Sequence, residues 1–198
     1  MRRLCGAMAW YPASKLQLQM LVGDLGLGEC MYMHGGPTLF DEKKDMVVLK
    51  GVPKILSPEL LYTLAQMGHG DEIVLADANF PSSSVCRAGP REIRADGHGI
   101  PELLEAILQL LPLDTFVPSP AMVMELVEEH KKEKLPTPVW DKFQALLDAS
   151  EGRKISIGQI ERFAFYERAK KAYAVVATGE KALYGNLILK KGVISSGQ

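Results

Sequence analysis

The sequence predicts an α/β domain in which short apolar strands alternate with amphipathic helices and helices cover both faces of the sheet. Two observations carry this expectation. Ile73-Val74-Leu75-Ala76 is a continuous apolar run with β-branched residues, which fits a strand of a parallel sheet covered on both sides. Just before it, Leu60, Leu61, Leu64 and Met67 recur at helical spacing.

The remaining elements follow in order. Ser57-Pro58-Glu59 reads as a helix start: a hydroxyl at the N-cap, proline at the first helical position and an acid in the first turn. Gly68 is the expected stop. Glu92 to Ala95 fits a one-sided strand, and Pro101 opens a leucine-rich helix that Pro112 ends. Ala121 to Val127 reads as a strand, and EEHKKEKLP as a solvated charge run. Helices are expected over Val139–Leu147 and Glu161–Ala172, the second leading into the strand YAVVAT. A turn at Thr178-Gly179-Glu180 and the strand LILKKGV close the chain.

The bulk properties exclude several functions. A chain of 198 residues suits one domain, or one domain with an appendage. Its net charge of -1 leaves no positive excess for a phosphate backbone, so nucleic acid is not an expected partner. No apolar run approaches the roughly 20 residues a membrane span needs. Cys5, Cys30 and Cys86 are widely spaced and form no CxxC pair, which fits reduced thiols and a cytoplasmic setting.

Residues 1–45 differ in character. The first twenty carry basic residues and no acid, a trait shared with organellar transit peptides. The break at Trp10-Tyr11-Pro12 makes a secretory signal a poor reading. The glycine-rich stretch that follows fits a poorly ordered N-terminal extension before a domain over 46–198.

Several chemical signatures fail. GDLGLGE has the wrong order for a dinucleotide loop and follows no expected strand. His34-Gly35-Gly36 has no GxSxG partner, and GxxxxGK[ST] is absent. His34, His69, His98 and His130 show no metal-ligand spacing, so neither metal nor cofactor is expected.

What remains is AQMGHGDEIVLADANFP. His69 lies past an expected helix end, whose partial negative charge favours a protonated ring, and glycines on both sides free the backbone that aims it. Asp77 lies past an expected strand end, where ligands of open α/β sheets bind. Taken alone, His69 reads more readily as a loop histidine that solvates a turn than as a catalytic one. The two are expected to face each other across a pocket, one helix-to-strand turn apart.

The segments LSPELLYTLAQMGHGDEIVLADANFP, ERFAFYERAKKAYAVVATGE and LYGNLILKKGV resemble, in this order, the RbsD/FucU family of sugar mutarotases, from about Met46 to Ile194. The resemblance implies an RbsD-like three-layer domain with a mostly parallel sheet and helices on both faces. It also implies an isomerase that interconverts the α and β anomers of a free sugar by acid/base ring opening and reclosure, with no cofactor. Arg162 and Tyr166 stand where the ribose-handling branch usually carries histidine or lysine, which favours L-fucose. By the same resemblance His69 is the proton donor, and Asp77, Asp114 and Met124 line the sugar pocket. Arg162 and Tyr166, four apart on one helical face, present a cationic fork and a phenol. Tyr184, Gly185 and Asn186 form the sugar-binding signature, Gly185 allowing close backbone approach. Family members assemble as homo-oligomers, with the YGN segment completing a neighbour's pocket. The alternatives are a ribose-type pyranase of the same family and a non-catalytic sugar-binding module, against which the intact His69 and Asp77 argue. A sugar-phosphate isomerase would need more cationic phosphate ligands than the chain offers.

Overall fold

The computed structural model describes residues 49–194. The expected extension over 1–45, with Cys5 and Cys30, lies outside the described residues; Cys86 is a free thiol.

Twelve elements follow in the described chain. They are α1 (Pro58–Gln66), β1 (Glu72–Ala76), α2 (Ser82–Cys86), β2 (Arg91–Ala95), α3 (Ile100–Leu108), β3 (Ala121–Met124), α4 (Glu128–Lys132), α5 (Pro138–Glu151), β4 (Ile157–Ile160), α6 (Arg162–Ala169), β5 (Ala174–Thr178) and β6 (Leu187–Lys190). The six strands form one sheet in the order β2-β5-β1-β6-β3-β4. Strand β5 pairs in parallel with β1 and β2, and β3 with β4. Only β6 runs the other way, antiparallel to both β1 and β3.

Alternation along β1 builds the three layers. Ile73 and Leu75 join the core formed with Leu60 and Leu64 of α1, Leu103 and Ile107 of α3, and Phe143 and Leu147 of α5. Val74 and Ala76 point the other way, into a smaller core with Val85 of α2 and with Phe165 and Ala169 of α6. Both faces of the strand are covered, as its unbroken apolar run predicts.

Local signals act largely as expected. The Ser57 hydroxyl accepts the Leu60 N–H, and Pro58 opens α1. The helix ends at Gln66, with Met67 as an extended C-cap directly before Gly68. The Lys191 ammonium bonds the carbonyls of Leu64 and Met67 there. One boundary and three short elements differ from expectation. The strand expected over Ala121–Val127 ends at Met124, and the Glu125 N–H makes the last bond of its ladder, to the Ile160 carbonyl. Part of the charge run forms the short helix α4, which buries no residue. Helices α2 and α4 and strand β4 have only four or five residues each, too short for a periodic pattern to announce them.

Candidate active site: two half-sites joined by one strand

The parallel strands end on one edge of the sheet, and most of the expected residues gather there. Asp77 follows β1 and Met124 closes β3. Arg162 and Tyr166 lie on α6 after β4, and Tyr184-Gly185-Asn186 lead into β6. His69 and Asp114 stand at the opposite edge. His69 precedes β1, and the Asp114 N–H bonds the Lys190 carbonyl at the far end of β6.

This placement corrects the expectation that His69 and Asp77 face each other across one pocket. The five residues of β1 lie between them, and a strand of that length spans about 16 Å. No single sugar ring bridges that gap.

At the amino edge, His69 Nε2 lies 3.3 Å from Asp114 Oδ1. The Asp114 side chain is 3% exposed and the imidazole 47% exposed, so a buried carboxylate holds a ring that faces outward. Burial opposes the Asp114 charge, but the Phe116 N–H at 2.9 Å, His69 and the more distant Lys190 outweigh it. Its carboxyl therefore sits below the ordinary aspartate value. The Phe116 ring packs edge-on against the imidazole at 5.6 Å and is itself 74% exposed. The loop carrying His69 is tied to the end of β6: the Gly70 N–H bonds the Lys191 carbonyl, and the Lys191 N–H bonds that of Asp71. Gly70 takes a φ of 85°, a conformation glycine adopts without strain. The acidic group beside His69 is thus Asp114, while the carbonyls of the helix end are taken up by Lys191.

At the carboxyl edge, Asp77 and Asn186 form a reciprocal pair. The Asp77 N–H donates to Asn186 Oδ1 at 2.9 Å, and the Asn186 amide donates to Asp77 Oδ2 at 2.6 Å. The Asn79 N–H donates to Asp77 Oδ1. Asp77 is 5% exposed, and burial raises its carboxyl above the ordinary value despite these bonds. Gly185 packs so closely that a Cβ there would lie 3.0 Å from the Ala182 carbonyl and 3.5 Å from Asp77 Cβ. Met124 is buried in the smaller core, against which Tyr166 and Tyr184 pack.

Arg162 is exposed, with its guanidinium carbon 4.8 Å from the centre of the Phe163 ring. The two carboxylates nearest it in sequence are engaged elsewhere. Glu161 caps α6 through the N–H groups of Phe163 and Ala164, and Glu167 pairs with Lys170. Among the described residues Arg162 makes no ion pair, so its charge is free for a ligand. Tyr166 stacks edge-on against Phe80 at 5.5 Å.

Two residues of this edge have no sequence signal. His130 Nδ1 lies 2.7 Å from the Tyr184 hydroxyl, and Trp140 Nε1 donates to the Tyr184 carbonyl at 2.8 Å. His130 is hidden inside a charge run, and Trp140 in the first turn of a helix. A cleft of about 450 Å³ also opens on this edge, lined by Asp77, Ser82, Arg94, Thr178 and Lys181. It contains none of the other expected residues and lies on the β5–β2 side of Asp77. No three His, Cys, Asp or Glu side chains converge as metal ligands would among the described residues. No helix there is long and apolar enough to cross a membrane.

Fold and site together define a class: a three-layer α/β domain with an imidazole–carboxylate pair at one sheet edge and a hydroxyl, amide and guanidinium cluster at the other. The chain belongs to the RbsD / FucU transport protein family, whose model matches residues 50–194. It is 73% identical over 150 residues to the fucose mutarotase of Bos taurus, covering 76% of this chain and 97% of that one. FucU from Bifidobacterium longum superposes with a TM-score of 0.70 at 50% identity, over 74% of this chain and all of that one. The fucose mutarotase of Streptococcus pneumoniae, solved in complex with L-fucose, superposes with a TM-score of 0.67 at 49% identity and the same coverage.

Proposed function

We infer that the chain is an L-fucose mutarotase, an isomerase that interconverts the α and β anomers of the free sugar. The observation that carries this reading is the outward-facing imidazole of His69 held by the buried carboxylate of Asp114, in a chain that also keeps the YGN segment and an exposed Arg162 at the opposite edge.

The chemistry runs from these groups. With both ring nitrogens protonated, His69 gives its Nε2–H to Asp114 and presents Nδ1–H to the sugar, from which the proton passes to the ring oxygen. As the C1–O5 bond breaks, the anomeric hydroxyl proton passes to a solvent water, and the ring opens to the aldehyde. Rotation about C1–C2 and the reverse transfers close it on the other face. Asp114 keeps His69 oriented, and its Oδ2, which takes no hydrogen bond among the described residues, can accept from a sugar hydroxyl. Tyr184, Asn186, Arg162 and Tyr166 bind the remaining hydroxyls, and Asp77 holds the Asn186 amide in place beside them.

A complete site requires a second copy of the chain. The acid–base pair and the hydroxyl-binding cluster stand a strand length apart, so a sugar touching both lies between two protomers. Exposed apolar residues flank each half-site: Phe116 beside His69, and Phe163 and Leu183 beside Arg162 and Tyr184. Such unlike surfaces suit a heterologous, head-to-tail contact.

The test is anomer exchange measured by NMR magnetisation transfer on L-fucose, with D-ribose and D-galactose alongside. Acceleration for L-fucose between pH 6 and 8 is expected, stronger than for D-ribose. No acceleration with any of the three sugars would end the enzymatic reading, and a preference for D-ribose would move it to the pyranase branch.

A further inference from the structure

We propose that His130 is the positioning residue for Tyr184, holding its ring in place and deciding which hydrogen bond its hydroxyl offers a sugar. The inference rests on the reading of Tyr184 as a sugar ligand.

Tyr184 is held in an unfavourable conformation. Its φ of 58° is in the left-handed region, where a bulky L-residue is strained and stays only when its surroundings over-determine it. Three residues supply that constraint. Trp140 bonds the Tyr184 carbonyl at 2.8 Å. The His130 ring meets the Tyr184 ring edge-on at 5.6 Å with an interplanar angle of 88°. The hydroxyl then meets His130 Nδ1 at 2.7 Å and, at 3.4 Å, the Val127 N–H.

The hydroxyl's hydrogen-bonding capacity makes this more than a packing contact. A tyrosine hydroxyl has one proton and two acceptor positions. Val127 occupies one acceptor position. When His130 carries its proton on Nε2, Nδ1 accepts the tyrosine proton, and the hydroxyl has only an acceptor position left for a sugar. When Nδ1 carries a proton it fills the second acceptor position, and Tyr184 can only donate. His130 thus selects between two opposite hydrogen bonds to the ligand without touching it. Helix α4 buries no residue, yet this one side chain turns inward from it.

The experiment is a double-mutant cycle on the full chain, with KM and kcat from the concentration dependence of L-fucose exchange and a melting curve for each variant. His130→Phe keeps an aromatic edge against Tyr184 but removes Nδ1, and is expected to raise KM about five- to tenfold with kcat within about twofold. His130→Asn places an amide near the Nδ1 position and is expected to return KM to within about twofold of the wild type. His130→Leu repeats the loss without the ring. In a Tyr184→Phe background none of the three is expected to raise KM further. Additive effects there, or failure of His130→Asn to rescue, would overturn the role of His130 while leaving Tyr184 as a ligand. An unchanged KM in Tyr184→Phe alone would remove Tyr184 from the sugar and this inference with it.

Discussion

His69 and Asp114 are 45 positions apart in sequence, yet Nε2 and Oδ1 meet at 3.3 Å because both loops hang from the last residues of one strand. Lys190 receives the Asp114 N–H, and Lys191 exchanges hydrogen bonds with Gly70 and Asp71. The dyad is therefore as rigid as the end of β6. Replacing His69 by Gln should cut L-fucose exchange about 10²-fold or more while leaving sugar binding within a few-fold. Asp114→Asn keeps the shape but loses the charge facing the imidazole, and should cut exchange about tenfold or more at pH 7. Exchange rates and sugar affinities measured on both variants check this, and a fully active His69→Gln would mean that another group is the acid.

Complementation tests the division of the site between copies. His69→Gln and Arg162→Ala each disable a different half, and Arg162 is exposed and makes no ion pair among the described residues, so its loss should leave the fold intact. After unfolding and refolding together, an equal mixture should regain about a quarter of wild-type exchange, since each site draws one half from each of two copies. A mixture no more active than the average of its components would place both halves in one protomer's site.

Asp77 should show a conflict between stability and activity. Burial raises its folded-state value, so the folded protein binds this proton more tightly than the unfolded chain does. Its contribution to stability therefore falls as pH rises from the ordinary aspartate range through the raised value, and at pH 7 the ionised form costs stability. Relative to wild type, Asp77→Asn should gain about 2–4 °C in melting temperature between pH 4 and pH 7. That gain is set against a pH-independent loss, because its amide NH2 meets the Asn186 amide or the Asn79 N–H as donor against donor. Sugar affinity should fall in the same variant. Thermal melts across that range, with a binding titration, measure both.

Glu72 has the opposite sign. Burial penalises its carboxylate, but the two Arg168 bonds at 2.9 and 2.7 Å, with Lys190 at 3.4 Å, hold it below the ordinary value. Its contribution is complete above the unfolded glutamate value and is lost as pH falls through the depressed one. The pair is only partly enclosed, so Glu72→Gln should cost about 1–3 kcal/mol at pH 7, less than a fully buried pair would. The gap from wild type should close in acid, as denaturant titrations at pH 7 and pH 3 would reveal.

The layers were readable from sequence because β1, β5 and the long helices repeat apolar residues at periods that physics ties to one conformation. The continuous run Ile73–Ala76 predicts a strand covered on both faces, and it is one. The candidate site could be expected as a set of residues but not as a shape. Nothing in AQMGHGDEIVLADANFP reveals that the strand between His69 and Asp77 carries them to opposite edges of the sheet. The reversed direction of β6 depends on pairing between distant segments, which no local pattern encodes. His130 escaped notice because a histidine among lysines and glutamates looks like the solvated face it mostly belongs to.

The lone antiparallel strand acts as a gauge. Asn186 stands immediately before it and Lys191 immediately after it, so four residues set the distance between the sugar-gripping rim and the acid–base pair. In an assembly built head to tail, that same distance recurs at every step from copy to copy. Inserting or deleting one residue within β6 would reverse which side chains meet each layer, and it would also change the stride at which successive subunits align their chemistry. On the proposed reading, the length of this strand would be constrained by catalysis and by assembly at once.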